Sequence, residues 1–286
     1  MPFLRSLIRG PYVLFPLYPL FLLGSDTVTQ TLIVVIVLQI ALMTWGIFSP
    51  RSRLLVDVIS HGPRVASGGS KPMLALTFDD GPHPTFTGEI LDILARHDAK
   101  ATFFVVGVNA ERYPDVMKRI QAEGHTLGNH TMTHPYFLSM TFLYSRRKVR
   151  RECAQASATI ARISGAKIRF FRPPANFKNH IIGEAALHTD HAVVVSSVIS
   201  GDTRRGRNAE AIAARVLNRI RPGDIVGLHD GIEPGRWSDP DRRRTVEATK
   251  IIIAGAIRRG FALVTLDELL REPEAAMAPT PCLQRL

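Results

Sequence analysis

The chain reads as an α/β protein whose parallel sheet is covered by helices on both faces, preceded by an apolar N-terminal segment. Three observations predict this. Short β-branched and aromatic runs alternate with amphipathic stretches through the middle of the chain. The residues with chemical potential fall where those runs end. An uncharged apolar stretch at residues 31–48 stands ahead of them.

Taken in order, residues 31–48 are long enough to cross a bilayer as a helix, with Trp45 placed near one interface. A cleaved signal peptide would have a shorter apolar core and a small-residue cleavage site, so the segment reads as an anchor. The preceding stretch, 11–24, is apolar but interrupted by Pro16 and Pro19, and it reads as a broken second span or an interfacial segment. Orientation depends on that choice, and sequence leaves the side of the membrane open. Residues 51–71, with Gly62, Pro63, Ser67, Gly68 and Gly69, read as a linker. A catalytic domain follows at 72–271, and an Ala- and Pro-rich tail at 272–286.

Within 72–271, strands are predicted at 74–78, 101–106, 168–171, 192–198, 224–228 and 261–266. Their β-branched and aromatic content suits a pleated buried surface. Helices are predicted between them at 87–97, 110–123, 144–163, 208–220 and 245–259, where apolar residues recur with helical period.

The formal net charge is +11, of which the first fifty residues contribute only +1. Arg146, Arg147, Lys148, Arg150 and Arg151 form one basic cluster, Arg204, Arg205 and Arg207 a second, and Arg242, Arg243 and Arg244 a third. Such runs are ordinary solvated faces or sites that attract an anionic membrane or a phosphorylated substrate, each basic residue beside a bilayer being worth about 1 kcal/mol. Nothing resembles a nucleic-acid recognition element, and no protein partner is predicted. Cys153 and Cys282 are too few for a disulfide framework or a Cys-rich zinc site.

The first predicted strand closes on Asp79-Asp80-Gly81-Pro82. By itself this is good turn chemistry. About fifty residues later His130 and His134 stand four apart, a spacing that puts both imidazoles on one side of a helical turn. Phe171-Arg172-Pro173-Pro174, Ser200-Gly201-Asp202 and Ile225-Val226-Gly227-Leu228-His229-Asp230 follow in order. Asp79, Asp80, Arg172, Asp202 and His229 each fall at the C-terminal end of a predicted strand, the end where barrel enzymes build their sites.

From about Lys71 to Leu270 these motifs resemble the polysaccharide deacetylases of the NodB-homology type, carbohydrate esterase family 4. The resemblance implies a distorted (β/α)7 barrel and hydrolysis of an N-acetyl or related N-acyl group on an amino sugar. It implies Asp79 as general base, Asp80, His130 and His134 as ligands of a divalent metal, zinc foremost, and His229 as general acid. It further implies that Arg172 orients Asp79, that Asp202 supports His229, that Leu228 lines the acyl-methyl pocket, and that Pro174 and Ala175 border the substrate, with an N–H near Ala175 sharing the oxyanion. The chemistry suits the residues: an amide needs a polarised carbonyl, an activated water and a proton for the departing amine.

Two departures stand out. Ala175 and Asn176 follow Pro174 where the family carries an aromatic and a small residue, and no Trp accompanies Asp202. Lost stacking surface argues against a long neutral polymer and favours, as an alternative, a deacylase or deformylase of a lipid-phosphate-linked amino sugar, with Arg204, Arg205 and Arg207 reading the phosphate. A catalytically inactive carbohydrate-binding protein on the same fold is the alternative from another class. Of the remaining histidines, His83 reads as bordering the cleft, and His125, His180, His188 and His191 as surface or packing residues.

Overall fold

The computed structural model describes residues 26–49, 52–64, 71–135, 146–234 and 241–271. The stretch 11–24, residues 65–70 and the tail from 272 lie outside the described residues. The first helix, α1 (Asp26–Phe48), contains a 19-residue apolar window, Thr29–Ile47, long enough to cross a membrane. Ile33, Val34, Val37, Leu38, Ile40 and Trp45 on it are exposed, so it is apolar without a partner for most of its surface.

The domain then alternates strand and helix. It runs β1 (Met73–Asp79), α2 (Phe86–Arg96), β2 (Ala101–Val105), α3 (Gly107–Arg112), α4 (Pro114–Ala122), β3 (Thr126–Asn129), α5 (Arg146–Ser164) and β4 (Phe170–Phe171). It continues with α6 (His180–His188), β5 (Ala192–Val193), β6 (Val198–Ile199), α7 (Ala209–Leu217), β7 (Ile225–His229), α8 (Arg243–Arg258), β8 (Ala262–Leu263) and α9 (Leu266–Leu269). The strand order is β5-β4-β3-β2-β1-β7-β6, every pair is parallel, and β8 pairs with the start of β1. The result is a curled parallel sheet with helices, as the sequence predicts.

Alternation along β1 sorts the two faces. Leu74, Leu76 and Phe78 pack with Ile90, Leu91 and Leu94 of α2 and with Ile252 and Ile253 of α8. Ala75 instead joins Phe104, Phe170, Val194, Ile225, Leu266 and Leu269 inside the curl. Because the strand period is two, Thr77 and Asp79 share the inner face with Ala75.

Several elements differ from the sequence reading. The single helix expected over 110–123 is broken at Tyr113, since the residue before Pro114 is disfavoured in helical conformation. The strand expected over 192–198 is two short strands separated by residues 194–197. Strand β3, Thr-Leu-Gly-Asn, was not expected because Gly and Asn are poor strand formers, and helix α6 was also not expected. Asn179 caps α6 by accepting the Ile182 N–H at 2.9 Å.

Part of the stretch read as a linker packs into the domain. Leu55, Val56 and Val58 are buried with Val149 and Cys153 of α5 and Ile181, Ile182 and Ala185 of α6. The Ile59 N–H donates to Val193 O at 2.8 Å, and the Gly62 N–H to Gly223 O at 2.8 Å, so this strap ties the β5 edge to the residues just before β7. Met43 and Ile47 of α1 rest on the same apolar cluster as Leu55 and Val56. Lys178, buried just ahead of α6, donates to Ser52 O at 2.9 Å and to Ser49 O at 2.5 Å, gripping the chain where it leaves α1.

Candidate metal centre and active site

At the end of β1 two neighbouring carboxylates meet different surroundings. Arg172, which follows β4, donates from Nη1 to Asp79 Oδ1 at 2.7 Å and to Thr77 Oγ1 at 2.6 Å. Its guanidinium lies 4.0 Å from the Phe104 ring centroid. Thr77 in turn donates to Val226 O at 2.7 Å, which fixes its hydroxyl as the acceptor for Arg172. The guanidinium is therefore locked in place and holds one oxygen of Asp79.

Asp80 turns away at φ 74 and points its carboxylate toward two imidazoles. Its Oδ1 lies 3.4 Å from His130 Nε2 and 3.3 Å from His134 Nε2, and the three ligand atoms lie within 4.8 Å of one another. Both Asp80 oxygens are buried without a hydrogen-bond partner among the described residues. Burial opposes its charge, yet the close imidazole of His130 and the charges of His229, His134 and His130 outweigh that and hold the carboxyl well below the usual range. His130 Nδ1 donates to Arg172 O at 2.8 Å, which fixes the tautomer and leaves Nε2 for a ligand. A buried, hydrogen-bond-orphaned carboxylate facing two imidazoles fits a divalent cation.

The histidines do not share a helical turn, contrary to their spacing. His130 follows β3, and the chain then passes through Thr131 at φ 71 to His134 at φ 51. Side chains capture the backbone donors that a helix would have used. Asn129 Oδ1 accepts the Thr131 N–H at 2.7 Å, Thr131 Oγ1 the His134 N–H at 3.1 Å, and Glu152 Oε2 the N–H groups of Met132 and Thr133 at 3.0 and 2.9 Å. A turn, not a helix face, brings the rings to 5.0 Å between centroids.

On the neighbouring strand β7, His229 is the register partner of Asp79. His229 Nδ1 donates to Asp202 Oδ1 at 2.9 Å, and its backbone N–H to Asp202 Oδ2 at 2.8 Å. Ser200 Oγ and Thr245 Oγ1 complete the set on Asp202 at 2.9 and 3.1 Å. Burial works against a charge on His229, but the charge and bond of Asp202, with Asp80 and Asp79 beyond, push its pKa up to about 9. The imidazole is thus protonated at neutral pH.

Leu228 stands elsewhere. It is fully buried with Phe78, Val226 and the helices on the outer face, because strand parity turns it away from His229. The inward position below His229 is Gly227, where a Cβ would collide with Ser196 Oγ. Pro174 is buried, while Ala175 is exposed at φ 57 in a turn whose Asn176 Oδ1 accepts the Ser196 N–H at 2.9 Å. Arg204 and Arg205 are exposed in the loop after Asp202, and Arg207 bends back to Ser200 O at 3.4 Å. His83 stacks on Phe86 at 4.5 Å beside the β1 turn.

Some residues of the site were not picked out in the sequence. Asn109 Nδ2 bridges Asp80 O and Ile232 O at 2.8 and 3.1 Å. Asp230 is buried, accepts from Thr87 Oγ1 at 2.6 Å, and is pushed up to about 7 chiefly by burial. Arg242, which begins the third basic cluster, is buried against the back of Asp80. Asp230 alone had a positional hint, directly following His229.

Comparison with known proteins follows the same lines. The family model for polysaccharide deacetylase matches residues 66–194. A chitooligosaccharide deacetylase of Sinorhizobium fredii is 37% identical over 217 residues, covering 74% of this chain and 98% of that protein. A peptidoglycan-N-acetylglucosamine deacetylase of Bacillus cereus is 34% identical over 204 residues, covering 71% and 90%. Among solved structures, the Bc1960 peptidoglycan N-acetylglucosamine deacetylase superposes with a TM-score of 0.65 at 32% identity, covering 75% of this chain and 92% of that one.

Proposed function

Since the chain belongs to the polysaccharide deacetylase family of carbohydrate esterases, we propose that it hydrolyses the N-acetyl group of an N-acetylglucosamine-type amino sugar. The observation that carries this reading is the register pairing of Asp79 with His229, with Asp80 next in the chain and two imidazoles converging on it. Base, metal ligands and acid then border one reacting centre.

We assign Asp80, His130 and His134 as the residues that would hold a divalent ion, zinc in our reading. When bound, that ion would supply Lewis acidity toward the acyl oxygen and a lowered pKa for the attacking water. Arg172 occupies Asp79 Oδ1, so Asp79 Oδ2 is the oxygen that takes the water proton. Asp202 occupies His229 Nδ1, so Nε2 is the atom that protonates the departing nitrogen. Ala175, on the turn after Arg172, would lend its N–H to the oxyanion. Gly227 takes the place of Leu228 as the strand position facing the acyl group.

A lipid-phosphate-linked amino sugar is the second reading, favoured by the docking of α1. We read α1 as a membrane anchor. Its last turns and the Lys178 grip sit beside the chain segment that leads from Arg172, so the mouth would be mounted close to the bilayer. The exposed Arg204 and Arg205 would then meet the phosphate.

The full chain, reconstituted in a bilayer, should release acetate and free amine from chitooligosaccharide, from peptidoglycan fragments or from lipid-linked N-acetylated sugar. Chelation should stop release and added zinc should restore it. A rate that survives exhaustive chelation would defeat the metal-dependent reading. Turnover of the lipid-linked substrate alone would select the second reading over the first.

A further inference from the structure

The sequence gives Arg242 no distinction from Arg243 and Arg244, but the structure separates the three. Arg243 is largely exposed and pairs with Asp241 at 3.3 Å, and Arg244 reaches the Arg207 carbonyl at 2.9 Å. Arg242 is only 3% exposed. Its Nε donates to Gly231 O at 2.8 Å, and Gly231 itself packs so closely on the Asp80 backbone that a Cβ there would collide with the Asp80 carbonyl. One nitrogen of the fork is therefore anchored to the loop that backs the carboxylate.

A second nitrogen faces the carboxylate itself. Arg242 Nη2 lies 3.7 Å from Asp80 Oδ2, and neither atom has a hydrogen-bond partner among the described residues. Asp80 is thus divided between two sides. Oδ1 is the oxygen shared by His130 and His134, and Oδ2 is the oxygen turned to the guanidinium. Buried polar atoms without partners are rare, and here two of opposite charge confront each other.

We propose that Arg242 is a positioning residue for the metal-binding carboxylate. It holds Oδ2 by charge, so that Asp80 presents Oδ1 alone to an ion and the remaining coordination positions stay open for water and substrate. A guanidinium suits the task because its rigid fork bonds Gly231 O and faces Asp80 at once, whereas a lysine ammonium is a single point charge on a flexible stem. Thr245, in the first turn of α8, bonds Asp202, so the start of that helix braces the metal ligand and the acid's partner together. This inference rests on the reading that Asp80, His130 and His134 hold a metal.

The test is a competition titration of the metal-stripped full chain with Zn2+ against a chromophoric chelator, read as affinity and not as turnover. Arg242→Gln should weaken zinc binding by roughly 10–100-fold, the range found for lost outer partners of metal ligands. Arg242→Lys should weaken it by less, and Arg243→Gln should leave it unchanged. Wild-type affinity in Arg242→Gln, even with a lowered melting temperature, would mean that the residue only supports the fold. Where Arg242→Gln does not fold, Arg242→Lys carries the test, and unchanged zinc affinity in it overturns the proposal. Failure of the wild-type chain to take up stoichiometric zinc would instead remove the metal reading beneath it.

Discussion

The proposed base side and the proposed acid side of the mouth use the same device with opposite signs. In the pair Arg172–Asp79 the guanidinium side chain is completely buried and the carboxylate is 6% exposed. In the pair Asp202–His229 the carboxylate is completely buried and the imidazole is 25% exposed. Each reactive group is the member nearer the opening, and each orienting partner is the deeper one. Only one deep partner is permanently charged. The charge of Arg172 cannot be titrated away, whereas the charge on His229 exists because Asp202 sustains it. Sensitivity to pH should therefore be concentrated on the acid side.

Asp79→Asn should give the largest effect, a fall in kcat of about 10²–10⁴-fold with zinc content retained, since it removes a general base and no ligand. Loss of zinc along with activity would show that the two aspartates have been assigned in the wrong order and that the base side as described does not exist.

Asp202→Asn sharpens the comparison from the other side. The protonated form of His229 persists below its pKa, so a step that needs the proton fails as pH rises through that value. In the parent chain that limb belongs near 9, and losing Asp202 should move it down toward the ordinary 6.5. A pH profile of kcat/KM measures this. An unmoved alkaline limb would assign it to another group.

The smallest effect belongs to the rim. Replacing Arg204, Arg205 and Arg207 together by Gln should raise KM a few-fold for a phosphate-bearing lipid-linked sugar, with the difference shrinking as salt screens it. A neutral oligosaccharide should be unaffected. Equal losses on both substrates would give the loop a structural role, and Arg207, already bonded to Ser200 O, is the member to suspect.

How much of this was legible in the sequence differs by residue. Asp79 and His229 were legible because each closes an apolar run, and a parallel sheet brings such ends to one edge. His130 and His134 were legible as a pair converging with Asp80 but not as geometry, because their spacing suggests a helix while Asn129, Thr131 and Glu152 take the backbone donors from it. Leu228 was misread because a motif gives neighbours without giving parity, and one step along a strand reverses the face. Arg242 was illegible because three consecutive arginines look alike until the fold buries one of them. The strap at 52–62 was hidden in the same way, its apolar residues being too few to declare a partner before α5 and α6 supply one.

The grip of Lys178 on the chain leaving α1 bears on how such a protein would meet its substrate. A catalytic unit on a loose tether sweeps a hemisphere and competes for molecules in bulk solution. A unit bolted at the point of exit, with α1 in a bilayer as proposed, keeps a fixed attitude to the surface and a nearly constant standoff. Its encounters would then be set by lateral diffusion within the membrane plane, and its saturation by the surface density of substrate, in molecules per lipid, instead of by molar concentration.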